Sequence, residues 1–214
     1  MAETLNNGFA LLGIALALCA ALLYFFGSSN GARGWAKWLA LACFSALWWP
    51  LGAAQLPVVA YVRGISSDLS ITLVGMSVFR LLQEWPGMPQ ISQREKRVVL
   101  ALVAASALFL YPMALGLGDW DPYRLGWGSS GMLLVLLLVA MAGWVAGLRL
   151  LPLLIALCLL AWTAGLLEST NLWDYLIDPW LVAVALAVGL RGLVIKVASR
   201  LKTVRGTIAP PAST

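Results

Sequence analysis

Three short segments carry most of the side chains able to do chemistry. They are Arg63-Gly-Ile-Ser-Ser-Asp68, Asp119-Trp-Asp-Pro-Tyr-Arg124 and Glu168-Ser-Thr-Asn-Leu-Trp-Asp-Tyr-Leu-Ile-Asp-Pro179. Carboxylates in pairs can exchange protons with a substrate or hold Mg²⁺ or Ca²⁺. Arginine contributes a planar fork of donors suited to bidentate binding of a carboxylate or phosphate. Tyr123 and Tyr175 can donate hydrogen bonds, although interface anchoring is the commoner role of such tyrosines in apolar chains.

Helix starts account for part of this chemistry. Asp178-Pro179 reads as an N-cap followed by proline at the first helical position, where the missing N–H is harmless. Asp68 after Ser66-Ser67 fits the start of another helix, Asp121-Pro122 a short turn, and Ser129-Ser130 a further start. Asp68, Asp121 and Asp178 are therefore expected as caps, near the positive ends of helix dipoles. Arg63, Asp119, Tyr123, Arg124, Glu168, Asn171 and Asp174 are left as the candidate site. If 171–178 is helical, Asp174 and Asp178 share a face at i, i+4. Beside plain solvation of these charges, two readings stay open. One is an arginine–acid network tying three loops together; the other is an interfacial site for a lipid headgroup, a glycan or a divalent cation. No spacing identifies a metal site, and no cofactor is expected.

What is missing narrows the chemistry further. The chain has no histidine, which excludes a bis-His haem, a His-based hydrolase triad and a His-nucleophile phosphatase for this chain alone. Cys19, Cys43 and Cys158 sit inside apolar runs without CxxC spacing and read as small buried hydrophobes. There is no GxxxxGK[ST], no GxGxxG after a strand and no HExxH.

The elements that must position these groups are membrane helices. Of 214 residues, 62% are hydrophobic and 11% charged, against about 45–50% and 25% in soluble domains. So few charges cannot cover a water-facing surface, and the expected fold is an all-α polytopic bundle of about seven transmembrane helices. The apolar segments lie at 8–26, 38–56, 69–83, 98–118, 131–148, 150–167 and 179–198. The second and third are the weakest, because Trp48-Trp49-Pro50 and Pro57 interrupt one and Glu84 shortens the other; a broken or re-entrant helix near 50–68 is an alternative. Residues 1–198 read as one membrane domain, and 199–214 as a short basic cytoplasmic tail, partly disordered.

The net charge of +5 reads as an orientation signal rather than a nucleic-acid footprint. With the N-terminus outside, twelve basic residues (Arg33, Lys37, Arg80, Arg94, Lys96, Arg97, Arg149, Arg191, Lys196, Arg200, Lys202 and Arg205) fall inside and only Arg63 and Arg124 outside. Seven of the nine acids then face out. Most of the eleven tryptophans flank span ends, with Trp162 expected near mid-span, packing on another helix. Gly13/Ala17/Ala21, Gly143/Gly147 and Ala185/Gly189 offer small-residue faces for close helix approach.

The function expected from these features is a non-catalytic accessory or scaffold subunit of a cell-envelope complex in a bacterial inner membrane. Its partners would be membrane lipids and another integral membrane protein or a second copy, with no nucleic acid. An enzyme or a lipid- or glycan-binding protein with an acidic site at the outer interface is the alternative. A small transporter or flippase comes third, since no acid or histidine lies at mid-depth.

Overall fold

The computed structural model describes residues 2–26, 33–88 and 90–208. It is 75% helical and all-α. The elements run α1 (Ala2–Phe26), α2 (Arg33–Leu47), a hairpin of β1 (Pro50–Leu51) and β2 (Leu56–Pro57), α3 (Val58–Ser66), α4 (Ile71–Leu82) and α5 (Gln93–Ala114). A 3₁₀ turn (Pro122–Gly126), α6 (Ser130–Val145), α7 (Leu150–Thr163), α8 (Leu172–Leu176) and α9 (Pro179–Ile208) complete the chain. Among the described residues three helices are long and apolar enough to cross a membrane: Asn6–Phe26, Gln93–Ala114 and Pro179–Arg200. α2, α4, α6 and α7 are shorter apolar helices. The 12 residues of α4 rise only about 18 Å at 1.5 Å per residue.

Local chemistry ends these helices early. After α6, Gly147 takes φ 73°, its N–H donates to Trp144 O, and Leu148 N–H reaches back to Gly143 O at 2.8 Å. This is a Schellman stop, and it needs the left-handed conformation that glycine adopts without a Cβ clash. Gly165 (φ 62°) stops α7 the same way, with Leu166 N–H bonded to Ala161 O at 3.0 Å. The expected 150–167 segment is therefore helical only to Thr163, and Trp162 sits at a helix end, not at mid-span. Its indole N–H donates to Thr170 O at 2.8 Å. Likewise the 38–56 segment is helical only to Leu47. Beyond it Pro50 pairs with Pro57 and Leu51 with Leu56 in the antiparallel hairpin, and Tyr61 Oη donates to Leu51 O at 3.0 Å. Residues 199–208 continue α9 without a break, and 209–214 lie outside the described residues.

Packing centres on α1, α4, α5 and α7. α1 packs on α4, α2 and α3; α4 on α7; α6 on α7; and α5 on α9 and α7. Close approach needs small residues at the crossings. A methyl on Gly13 would lie 3.0 Å from Val74 Cγ2, and one on Gly75 only 2.7 Å from Leu154 Cδ2. α9 is the least covered of the three long helices, with 17% of its apolar window buried. Its bare leucines and valines suit a hydrocarbon solvent.

The bundle has two chemically distinct ends. One carries Arg63, Asp68, Glu168, Asp174 and Asp178 and is called the acidic end below. At the other, Glu95 joins two helix starts. It completes a capping box with Ser92 at the start of α5, and its Oε1 accepts from Arg149 N–H (2.8 Å) and Leu150 N–H (3.1 Å) at the start of α7. One carboxylate thus satisfies orphan donors of two helices. Glu95→Ala is expected to cost about 2 kcal/mol, two capping interactions of about 1 kcal/mol each. Thermal unfolding in detergent, read by exposure of the buried Cys19 and Cys158 thiols to a fluorogenic maleimide, measures it.

Candidate functional site

The acidic end is built around Arg63, in the last turn of α3, on which three elements converge. Ser67 turns the chain sharply there, with φ 59° in a region that side chains avoid. That turn returns Asp68 to the arginine. Arg63 Nε donates to Asp68 Oδ1 at 2.8 Å, Nη1 to Asn7 Oδ1 at 2.8 Å and Nη2 to Glu168 Oε1 at 2.6 Å. The guanidinium thereby ties α1, the α3–α4 turn and the α7–α8 loop. The Arg63 side chain is 18% exposed and Glu168 75% exposed, so the Arg63–Glu168 pair is screened and worth about 1 kcal/mol at most. Burial opposes the arginine's charge, but Asp68 and Glu168 outweigh it and push its pKa above the ordinary value.

Asp68 does not cap α4. The cap is Ser70, whose hydroxyl accepts from Leu73 N–H at 3.2 Å. Asp68 instead accepts from Arg63 at Oδ1 and from Glu168 N–H at Oδ2, the latter at 3.2 Å. Asp178 does cap: its Oδ1 accepts from Leu181 N–H at 2.8 Å at the start of α9. Its Oδ2 accepts from Ser70 N–H at 2.9 Å, fastening α4 to α9. Asp121 caps the 3₁₀ turn through Tyr123 N–H at 2.9 Å. Ser129 precedes α6 without a side-chain cap bond.

A second knot surrounds Asp174. Its Oδ2 accepts from Tyr123 Oη at 2.8 Å and from the Ser169 hydroxyl. Asn171, 1% exposed, donates to Tyr123 O at 2.9 Å and accepts from Trp173 N–H at 3.0 Å. Trp173 Nε1 donates to Pro122 O at 3.0 Å. Gly126 fits under Asn171, where a methyl would fall 1.7 Å from Oδ1. Tyr175, fully buried, accepts from Leu167 N–H (3.2 Å) and donates to Ser169 O (3.0 Å).

The two knots share a cavity of about 500 Å³ whose wall includes Asp68, Glu168, Asp174, Asp178, Tyr111 and Tyr123. Of the candidate residues, Arg63, Glu168, Tyr123, Asn171 and Asp174 are thus brought together, with Asp68 and Asp178. Asp119 and Arg124 are not: both are exposed, and neither side chain has a partner among the described residues. Ser70, Asn7, Ser169 and Tyr111 escape a reading from sequence. Asn7 and Ser70 meet partners 56 and 108 positions away, whereas Ser169 bonds close by, to Asp174 and Asn171, and no motif singles it out. Among the described residues no group of three or more metal-ligating side chains converges.

Burial and the Asp174 carboxylate together push the Tyr123 phenol up to about 12. Asp174 therefore meets a neutral donor throughout the physiological range. The linkage follows in sign. This contribution to stability is complete below the unfolded phenol's pKa of about 10 and is lost as pH climbs through the folded value. An ultraviolet tyrosinate titration of wild type minus Tyr123→Phe is expected to show no ionisation of this residue below about pH 11; a step near pH 10 would contradict the geometry.

Comparison with protein-family models, curated proteins and solved structures finds no match for this chain.

Proposed function

We propose that the chain is a seven-span inner-membrane protein, N-terminus outside, that acts as a non-catalytic scaffold subunit of an envelope complex. The seven-span reading is supported by alternation: α1, α4, α5, α6, α7 and α9 run in turn between the acidic end and the opposite, Glu95 end, and α2 with α3 supplies the remaining crossing. The orientation is supported by the positive-inside distribution of Lys and Arg.

The single observation that carries the scaffold reading is the use made of the acidic-end carboxylates. Asp68 and Asp178 each have both oxygens engaged by internal donors, and Asp174 and Glu168 each hold a short bond to a neighbouring element. Asp68 and Asp178, so engaged, fix loop positions. A general base needs a carboxylate free to take a proton from a substrate. The product is a rigid platform on which Asp119 and Arg124 are exposed charges without internal partners among the described residues, and these are the groups available to another protein. The test is crosslinking in native membranes followed by purification of the tagged chain in mild detergent. A second integral membrane protein, or a second copy, joined through residues 115–129 supports the proposal, and recovery of monomer alone removes it.

The cavity between the knots favours a second reading, a lipid-headgroup or glycan site. It requires a sugar or headgroup to raise the unfolding temperature of wild type but not of Glu168→Gln or Asp174→Asn.

A further inference from the structure

A groove at the opposite end points to a specific lipid. α1, α2 and α4 enclose an apolar cleft of about 420 Å³, walled by Leu16, Cys19, Phe44, Val78 and Leu81. Lys37, Trp38 and Trp85 line the same cleft. The two indoles are exposed, and the Lys37 ammonium lies 5.8 Å from the Trp38 ring centre. We propose that this cleft binds one acyl chain of an anionic phospholipid from the surrounding bilayer, with the lipid phosphate at Lys37.

Elimination identifies the occupant. Water needs two to four polar partners in a cavity, and these walls are hydrocarbon and sulfur. A partner helix is about 10 Å across, so one turn would fill the cleft and the rest would find no groove. A flexible acyl chain presents the same hydrocarbon surface as these walls and can lie along them. Charge then selects the headgroup. No carboxylate pairs with Lys37 among the described residues, because Glu84 at this end is held by Arg80 and Glu95 by the starts of α5 and α7. The lysine therefore lacks an internal counter-ion among the described residues beside an apolar cleft, where tryptophans mark headgroup depth. Phosphate above and hydrocarbon below match that sequence of surfaces.

The full chain, purified in mild detergent, can be incubated with phosphatidylglycerol or phosphatidylcholine of identical chains and analysed by native mass spectrometry for retained lipid. Wild type is expected to retain phosphatidylglycerol in preference. Lys37→Gln should lower that retention about fivefold, the factor carried by one cation at a lipid surface, and leave phosphatidylcholine unchanged; Lys37→Arg should keep it. Leu41→Trp, which fills the cleft from its rim, should reduce retention of both lipids. Shielding of the Cys158 thiol reports that each variant is folded. Equal retention of the two lipids by wild type, no change in Lys37→Gln, or retention that survives Leu41→Trp would overturn the proposal.

Discussion

Asp178→Ala is expected to lower stability by about 2–4 kcal/mol, one of the two largest effects of any single substitution at the acidic end. The residue is 5% exposed, and its two oxygens serve different helices. Loss of the α9 cap costs about 1 kcal/mol. Loss of the bond to Ser70 N–H leaves a fully buried donor unsatisfied, which adds about 1–3 kcal/mol. Asp178→Asn should fall between wild type and Ala, because the amide keeps one acceptor oxygen for two N–H donors. Thiol exposure on heating measures all three. Equal unfolding temperatures would mean that Asp178 does not join α4 to α9.

Gly126→Ala is the second. The added methyl would sit 1.7 Å from Asn171 Oδ1, 2.6 Å from its Cγ and 2.8 Å from Trp173 Cδ1. None of these atoms can retreat without breaking the bonds from Asn171 to Tyr123 O and from Trp173 to Pro122 O. Overpacking costs about 1–3 kcal/mol, and the displaced hydrogen bonds about 1 kcal/mol each, so a loss of about 3 kcal/mol or more is expected. The clash also fixes a cycle. Asn171→Ala removes the atoms that the methyl added at position 126 would strike, so the double substitution should cost clearly less than the sum of the two singles. Additive losses would contradict the contact.

These residues also mark how far the sequence can be read. The apolar composition establishes the helical membrane class, and Asp178-Pro179 and Asp121-Pro122 announce two of the helix starts. Local signals mislead where a closer competitor exists. Asp68 looks like a cap after two serines, but Ser70 stands nearer the helix and Arg63, five residues back, takes the carboxylate. Gly143 and Gly147 match a packing motif. In the fold only Gly143 faces another helix, where a methyl would lie 3.0 Å from Leu151 Cδ2, and Gly147 ends α6. Gly75 and Gly126, which fit tightly against Leu154 and Asn171, sit in no recognisable pattern.

Remote pairings account for the rest. Ser70 and Asp178 are 108 positions apart, and Tyr123 and Asp174 are 51. No local spacing encodes which loop meets which. The sequence offers Arg63 several acids, yet its choice of Asp68 and Glu168 over Asp119 depends on how α1, α3 and α7 pack. The same packing separates the candidate residues into engaged ones, which hold the loops, and Asp119 and Arg124, which face outward.

That separation makes the scaffold proposal most directly testable at Arg124. Wild type and Arg124→Ala would be crosslinked in native membranes, purified in mild detergent, and compared for the yield of the crosslinked partner. The expected result is a several-fold lower yield for Arg124→Ala at an unchanged unfolding temperature, with wild-type crosslinks mapping to residues 115–129. Recovery of wild type solely as uncrosslinked monomer would contradict a scaffold role at this end.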